Sequence, residues 1–264
     1  MPGEDQEDQG FGQEYLFLSF LSKRGKMKVH IGCSGYNYKD WRGKFYPEKM
    51  PQKNWLEYYA SIFDTVEINN TFYKFPREKA LKQWEEIVPS NFRITLKGHR
   101  YITHRKKLKD VERSVSDFEA LTKFLKRKMG CLLWQLPGNL HRNDEKLIDF
   151  CRTLDGRRKN VIEFRHESWF HEEVYEILRE HKIIFCSISS PEFPEEMITT
   201  HKTGYLRFHG KGKKWYDYLY SQKELEEWHR KIQNTDLEEI FIYFNNDIHA
   251  HAPKNAEQLK KLFD

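Results

Sequence analysis

Eight short apolar runs in this chain share one regularity: alternate positions define an apolar face and a face that turns polar toward the C-terminal end. The runs fall at 28–33, 65–69, 92–97, 131–136, 160–165, 183–188, 204–209 and 240–245. Successive side chains of a strand point to opposite faces. From the second run on, one face reads Val66 and Ile68, Ile94 and Leu96, Leu132 and Trp134, Ile162 and Phe164, Ile184 and Cys186, Leu206 and Phe208, Ile242 and Phe244. The other reads Thr65, Glu67, Asn69; Arg93, Thr95, Lys97; Leu133, Gln135; Val161, Glu163, Arg165; Phe185, Ser187; Tyr205, Arg207, His209; Phe241, Tyr243, Asn245. A face that helices cover must be apolar throughout. An open doubly wound sheet buries both faces and gives continuous apolar runs instead.

Segments with helical spacing separate the runs, at 54–63, 78–88, 117–129, 145–154, 172–181, 223–232 and 255–263. Ser116 with Glu119, and Ser221 with Glu224, have the spacing of capping boxes. Strands alternating with helices predict a parallel sheet, and eight strands close a (β/α)8 barrel. The fold expected is therefore α/β, a single TIM-type barrel with helices outside and its site at the C-terminal mouth. A chain of 264 residues suits one such domain. Residues 27–264 read as that barrel, and 1–26, acidic and glycine-rich at the start, as a disordered extension or a start upstream of the true one.

Charge narrows the partners only a little. Lys and Arg outnumber Asp and Glu by 45 to 40, so local clustering matters more than the total. Cys33, Cys131, Cys151 and Cys186 form no CxxC pair, and most lie in apolar runs where a thiol behaves as a small hydrophobe. A reducing, cytoplasmic setting is expected. No apolar run approaches the roughly 20 residues of a membrane span, and 15–21 lacks the flanks of a signal peptide.

The polar strand ends would ring the mouth with Ser34, Glu67, Asn69, Lys97, Gln135, Glu163, Arg165, Ser187, Arg207, His209 and Asn245. Two carboxylates face Lys97, Arg165, Arg207 and an ionisable His209, an excess of positive charge that suits an anionic ligand. The bland reading is a self-neutralised network, Glu163 with Arg165 or Arg207 and Glu67 with Lys97. Glu67 and Glu163 lie three strands apart, across the ring, where two carboxyls could divide acid and base roles. With His209 they could also hold a metal, but no HxH, HExxH or clustered Asp supports one, and no metal ligand is assigned. The loops at 97–109 and 211–220 mix bases with aromatics, as a phosphate backbone with stacked bases would require. Aromatics of the first loops and the fifth, with Tyr38, Trp41 and Trp169 foremost, are candidates for the wall of a planar ligand.

At these residues the chain resembles the YecE-like proteins, the domain-of-unknown-function 72 family. The resemblance runs through Gly32-Cys33-Ser34-Gly35-Tyr36, Val66-Glu67-Ile68-Asn69-Asn70-Thr71-Phe72-Tyr73 and Gln135-Leu136-Pro137. It continues in Glu163-Phe164-Arg165-His166, Tyr205-Leu206-Arg207-Phe208-His209-Gly210 and Tyr243-Phe244-Asn245-Asn246. It implies a TIM-type barrel and no particular reaction. Relatives often end the sixth strand with an acid where this chain has Ser187, which would alter a role that acid holds.

The expectation is an enzyme of hydrolase or lyase type acting on a phosphorylated or otherwise anionic substrate, with a nucleic-acid component among the candidates. Glu67, Glu163 and His209 are its candidate catalytic groups. Asn69, Lys97, Gln135, Arg165, Arg207, Asn245, Tyr38, Trp41 and Trp169 are its candidate substrate contacts. Cofactors are left open. The alternatives are a non-catalytic nucleic-acid-binding barrel and a glycosidase-like hydrolase built on Glu67 and Glu163.

Overall fold

A computed structural model describes residues 26–264; all but the last residue of the expected N-terminal extension lies outside the described residues. Eight strands run β1 Lys28–Ser34, β2 Thr65–Ile68, β3 Arg93–Lys97, β4 Met129–Gln135, β5 Lys159–Glu163, β6 Ile184–Ser189, β7 Thr203–Phe208 and β8 Glu239–Phe244. They pair in chain order, all parallel, and β8 closes on β1 with His30 beside Phe241 and Gly32 beside Tyr243. Helices α1 Trp55–Ile62, α2 Asn70–Tyr73, α3 Glu78–Ile87, α4 Glu112–Leu121, α5 Asp144–Thr153, α6 Glu172–Glu180, α7 Gln222–Gln233 and α8 His251–Lys260 lie between and after the strands. Among the described residues no helix is long and apolar enough to cross a membrane.

Two cores follow from the two strand faces. The larger lies between strands and helices and contains Ile94, Leu96, Leu132, Trp134, Ile162, Phe164, Leu206, Phe208, Ile242 and Phe244. The smaller fills the barrel lumen with Cys131, Leu133, Val161, Ile184, Cys186, Ile188, Tyr205, Phe241 and Tyr243. The expected faces hold in the other strands but are reversed in β6. Cys186 and Ile188 register with Tyr205 and Arg207, so they point inward. Ser187 points outward, and its hydroxyl accepts the Ile198 amide at 2.9 Å. Phe185 goes with it, edge-on to Tyr175 of α6 at 5.0 Å. The run 183–188 is apolar on both faces apart from one hydroxyl, and that hydroxyl serves the following loop. Ser187 therefore occupies no mouth position.

Of the two expected capping boxes, one forms. Ser221 caps α7, its Oγ accepting the Glu224 amide while the Glu224 carboxylate accepts the Ser221 amide at 2.8 Å. Ser116 instead lies inside α4, which already begins at Glu112. The Glu119 carboxylate turns inward to accept the Asp155 amide at 3.1 Å, a tertiary contact that local spacing does not reveal.

The N-terminal end of the barrel is closed by charge. His30 Nδ1 lies 2.6 Å from Asp64 and its Nε2 3.4 Å from Glu239, which also takes Lys159. Burial alone would lower the His30 pKa, but hydrogen bonds and charge from Asp64 and Glu239 outweigh it and hold the imidazole above its usual 6.5. A raised folded-state pKa stabilises fully below the unfolded value and ceases to do so as pH rises through the folded one. The melting-temperature deficit of His30→Gln should therefore be largest near pH 5.5 and shrink steadily above about pH 6.5. A deficit that is flat or grows with pH would refute this account.

Candidate functional site

The lumen core leaves the C-terminal third of the barrel to polar side chains, and one guanidinium organises them. Arg207, near the end of β7, is 1% exposed. Its Nη2 donates to Glu67 Oε1 at 2.7 Å and to Ser34 Oγ at 2.8 Å, and its Nη1 donates to Glu163 Oε2 at 2.5 Å. Ser34 also donates to Glu67 Oε1, and Tyr205 donates to Oε2 at 2.5 Å. Both Glu67 oxygens are thus occupied below the mouth. The expected Glu67–Lys97 pair does not form, because the planar fork of Arg207 reaches both carboxylates at once.

Glu163 is equally enclosed and holds the upper half of the network. Its Oε1 accepts from Gln135 Nε2 at 3.2 Å and from Arg165 Nε, and lies 3.3 Å from His209 Nε2. Burial works to raise the Glu163 pKa, but Arg165, Arg207 and His209 together hold the carboxyl well below the usual range. His209 Nδ1 meets the Asn245 amide at 3.0 Å, and its Nε2 lies 3.1 Å from Arg165 Nη2. Burial, then the positive charge of Arg165 and Arg207, takes the His209 pKa down to about 3. His209 is a neutral imidazole at physiological pH, a correction to its counting as a cation. A glycosidase needs about 5–9.5 Å of open space between its two carboxyls. Here Arg207 fills that space.

Above this layer lies a cavity of 440 Å³, lined by His104, Gln135, Leu136, Pro137, Gly138, Arg165, Glu192, Phe193, Trp215 and Tyr216. Arg165, 14% exposed, forms its floor. The guanidinium carbon sits 4.8 Å from the Trp215 ring, and Nη1 has no hydrogen bond to any described residue. The Nε–Nη2 edge of the guanidinium is thereby fixed by protein. Trp215 in turn donates to Glu192 at 3.0 Å, which sets one acidic group on the rim.

Lys97 ends β3. A Cβ on the next residue, Gly98, would stand 2.3 Å from Trp134, so only glycine lets the strand leave along this path. The Lys97 ammonium lies over the Phe72 ring at 4.4 Å and makes no hydrogen bond or ion pair with any described residue. Burial, then Arg207, lowers its pKa to about 7 despite Glu163 and Glu67. The following loop forms a single π-helical turn, Tyr101–Arg105, a form found often at functional sites. It sets His104 against the edge of the same Phe72 ring at 4.9 Å. Burial and Lys97 bring the His104 pKa down to about 4.

The structure brings together Glu67, Lys97, Gln135, Glu163, Arg165, Arg207, His209 and Asn245. Asn69 caps α2 close by, with its Oδ1 buried and unpartnered among the described residues. The expected aromatic wall is corrected. Trp41 is fully buried against Tyr38, Phe45 and Tyr46 and donates to the Asp247 carbonyl at 3.0 Å. Trp169 is fully buried, stacked on Phe164, and donates to the Leu140 carbonyl at 2.7 Å. Tyr38 gives its hydroxyl to the Ser34 carbonyl at 2.6 Å. These rings pack loops onto the rim, and Trp215, Tyr216, Phe193 and His104 form the wall instead. Trp215 and Tyr216 were visible as an aromatic-basic loop. Glu192 and Phe193, in the long loop after β6, carry no sequence signal.

The second basic loop is largely neutralised by acids of neighbouring segments and by its own Asp217: Lys211 meets Glu195 at 2.7 Å and Glu224 at 3.5 Å, and Lys214 meets Asp217 at 3.6 Å. Replacing Arg207 should strand two buried carboxylates. Arg207→Met is expected to lose about 3–5 kcal/mol of stability, read from urea midpoints. Arg165→Gln, at the partly open rim, should lose much less. A loss for Arg207→Met below about 1 kcal/mol, the level of a surface pair, would show that the bridge does not organise the lumen.

The model of the family described as "Protein of unknown function DUF72" matches residues 30–264. The chain is 26% identical over 271 residues to the UPF0759 protein YunF of Bacillus subtilis, covering 89% of this chain and 95% of that one. It is 30% identical over 116 residues to the UPF0759 protein YecE of Escherichia coli, 44% of this chain and 43% of that one. Among solved structures, a DUF72 family protein of Thermotoga maritima is similar at TM-score 0.82 and 32% identity, over 89% of this chain and 98% of that one.

Proposed function

The chain belongs to the DUF72 family of proteins of unknown function, and from that premise we propose that it is a barrel enzyme binding a small anionic substrate, phosphorylated or carboxylated, on Arg165. The observation that carries this reading is the free Nη1 edge of a pinned guanidinium under a 440 Å³ cavity. A guanidinium nitrogen with no acceptor among the described residues is the usual complement of a carboxylate or phosphate oxygen. Beneath it, two glutamates balance Arg165 and Arg207. In this reading Glu163 and Glu67 orient the arginines, His209 and Gln135 support Glu163, and Asn69 and Asn245 serve as polar contacts beside the ligand. The four free, buried cysteines fit a cytoplasmic setting.

A thermal-shift panel of inorganic phosphate, phosphorylated sugars, nucleotides and abasic DNA tests the proposal. At least one phosphorylated compound should stabilise the parent, and Arg165→Gln should weaken that binding about 10- to 100-fold, as loss of hydrogen bonds to a charged group implies. No stabilisation by any member would overturn it.

A second reading, a nucleic-acid-binding barrel, has one observation in its favour. Tyr73, Phe75 and Tyr101 are 64%, 38% and 37% exposed, beside the exposed Arg100 and Arg105. Exposed rings with bases suit single strands. That reading expects gel-shift affinity that falls steeply with salt and drops in Arg105→Ala but not in Arg165→Gln. Binding that is absent or insensitive to salt eliminates it.

A further inference from the structure

Lys97 is the one strand-end cation of this site that the network leaves alone. Its neighbours explain why. Glu67 and Glu163 are committed to Arg207 and Arg165, and the Phe72 face at 4.4 Å offers no acceptor. Lysine is almost never buried without a partner. An ammonium over an aromatic face, with no acceptor among the described residues, sheds its proton readily, which is the way lysines are made nucleophilic. The surroundings act in that direction, burial first and Arg207 next, bringing the pKa to about 7. Lys97 is half-buried, and His104, uncharged at neutral pH, lies on the edge of the same ring.

We propose that Lys97 is a nucleophile that forms an imine with an aldehyde or ketone whose phosphate or carboxylate sits on Arg165. The substrate class rests on the anion site proposed above; the nucleophile does not. The Nζ lone pair attacks the carbonyl carbon, forming the C–N bond as the C–O π bond breaks. The proton lost from nitrogen passes to the oxygen, giving a carbinolamine. Loss of water then leaves C=N, and addition of water reverses the sequence. No oxidant, reductant or further reactant enters. Neutral His104 is placed to relay the proton from nitrogen to oxygen. A protonated imine withdraws electrons from the adjacent bond, so the reaction it serves belongs to the lyases or isomerases.

The test is reductive trapping on the whole protein. Cyanoborohydride is added at pH 7 with either glyoxylate, an anionic aldehyde, or propanal, a neutral one, and labelled lysines and the terminal amine are located by peptide mass mapping. Lys97 should be labelled at least about tenfold faster than surface lysines, whose amines are almost wholly protonated at that pH. Its labelling rate should rise through a midpoint near pH 7, against about 10 for the others. Lys97→Arg, which keeps the charge, should lose this label yet retain the thermal shift given by phosphorylated compounds. Arg165→Gln should keep propanal labelling of Lys97 and lose any preference for glyoxylate. Selective labelling by propanal without a glyoxylate preference in the parent would sustain the imine and remove the anion site. Labelling spread over surface lysines, with Lys97 no faster than they are, would overturn the imine proposal and leave the anion site to its own test.

Discussion

The mouth of this barrel depends on Arg207 bridging two buried carboxylates. Glu67 on β2 and Glu163 on β5 face each other across a lumen whose lower part is apolar. Either carboxylate alone there would carry a desolvation cost of several kcal/mol. A guanidinium spans both because its donors fan out in one plane, and Ser34 and Tyr205 occupy acceptor sites left on Glu67. The arrangement also leaves Arg207 Nε buried without a partner among the described residues. A buried network of this kind locks side-chain orientation as well as charge.

That lock separates the polar end of the lumen into a floor of paired carboxylates and a rim that holds Arg165 and Lys97. On the floor every carboxylate oxygen is engaged, and His209 is uncharged. On the rim, Arg165 Nη1 has no hydrogen bond and Lys97 no counter-ion among the described residues. The distinction is one of dielectric and geometry. Charges that can meet do so below, while Lys97, over the Phe72 ring, meets no acid among the described residues.

Much of this was legible in the chain, because strand parity is a direct physical consequence of the pleat. Eight runs with one helix-facing apolar side required a closed sheet, and the polar ends placed Glu67, Lys97, Glu163, Arg165, Arg207 and His209 at one mouth. Parity failed in β6, where Ile184, Cys186 and Ile188 are as apolar as the residues between them and Ser187 bonds to a later loop. Aromatic loop residues were the other weak point. Trp41 and Trp169 neighbour polar strand ends in sequence, but each satisfies its indole N–H on a backbone carbonyl inside the packed rim. An amphipathic ring serves a wall or a core equally well, and its sequence neighbours do not distinguish them.

The sequence by itself determined the barrel, the orientation of its strands and the polar content of the mouth, since all three follow from the alternation of side chains along each strand. Tertiary structure decided which charges pair. Whether Glu67 meets Lys97 or Arg207 depends on distances across a closed ring, between residues more than a hundred positions apart. Coulomb energy and desolvation vary with those distances and with burial, and neither is written in the order of residues. For the same reason only the folded barrel could set Arg165 half-pinned beneath its cavity and Lys97 without a partner beside Phe72.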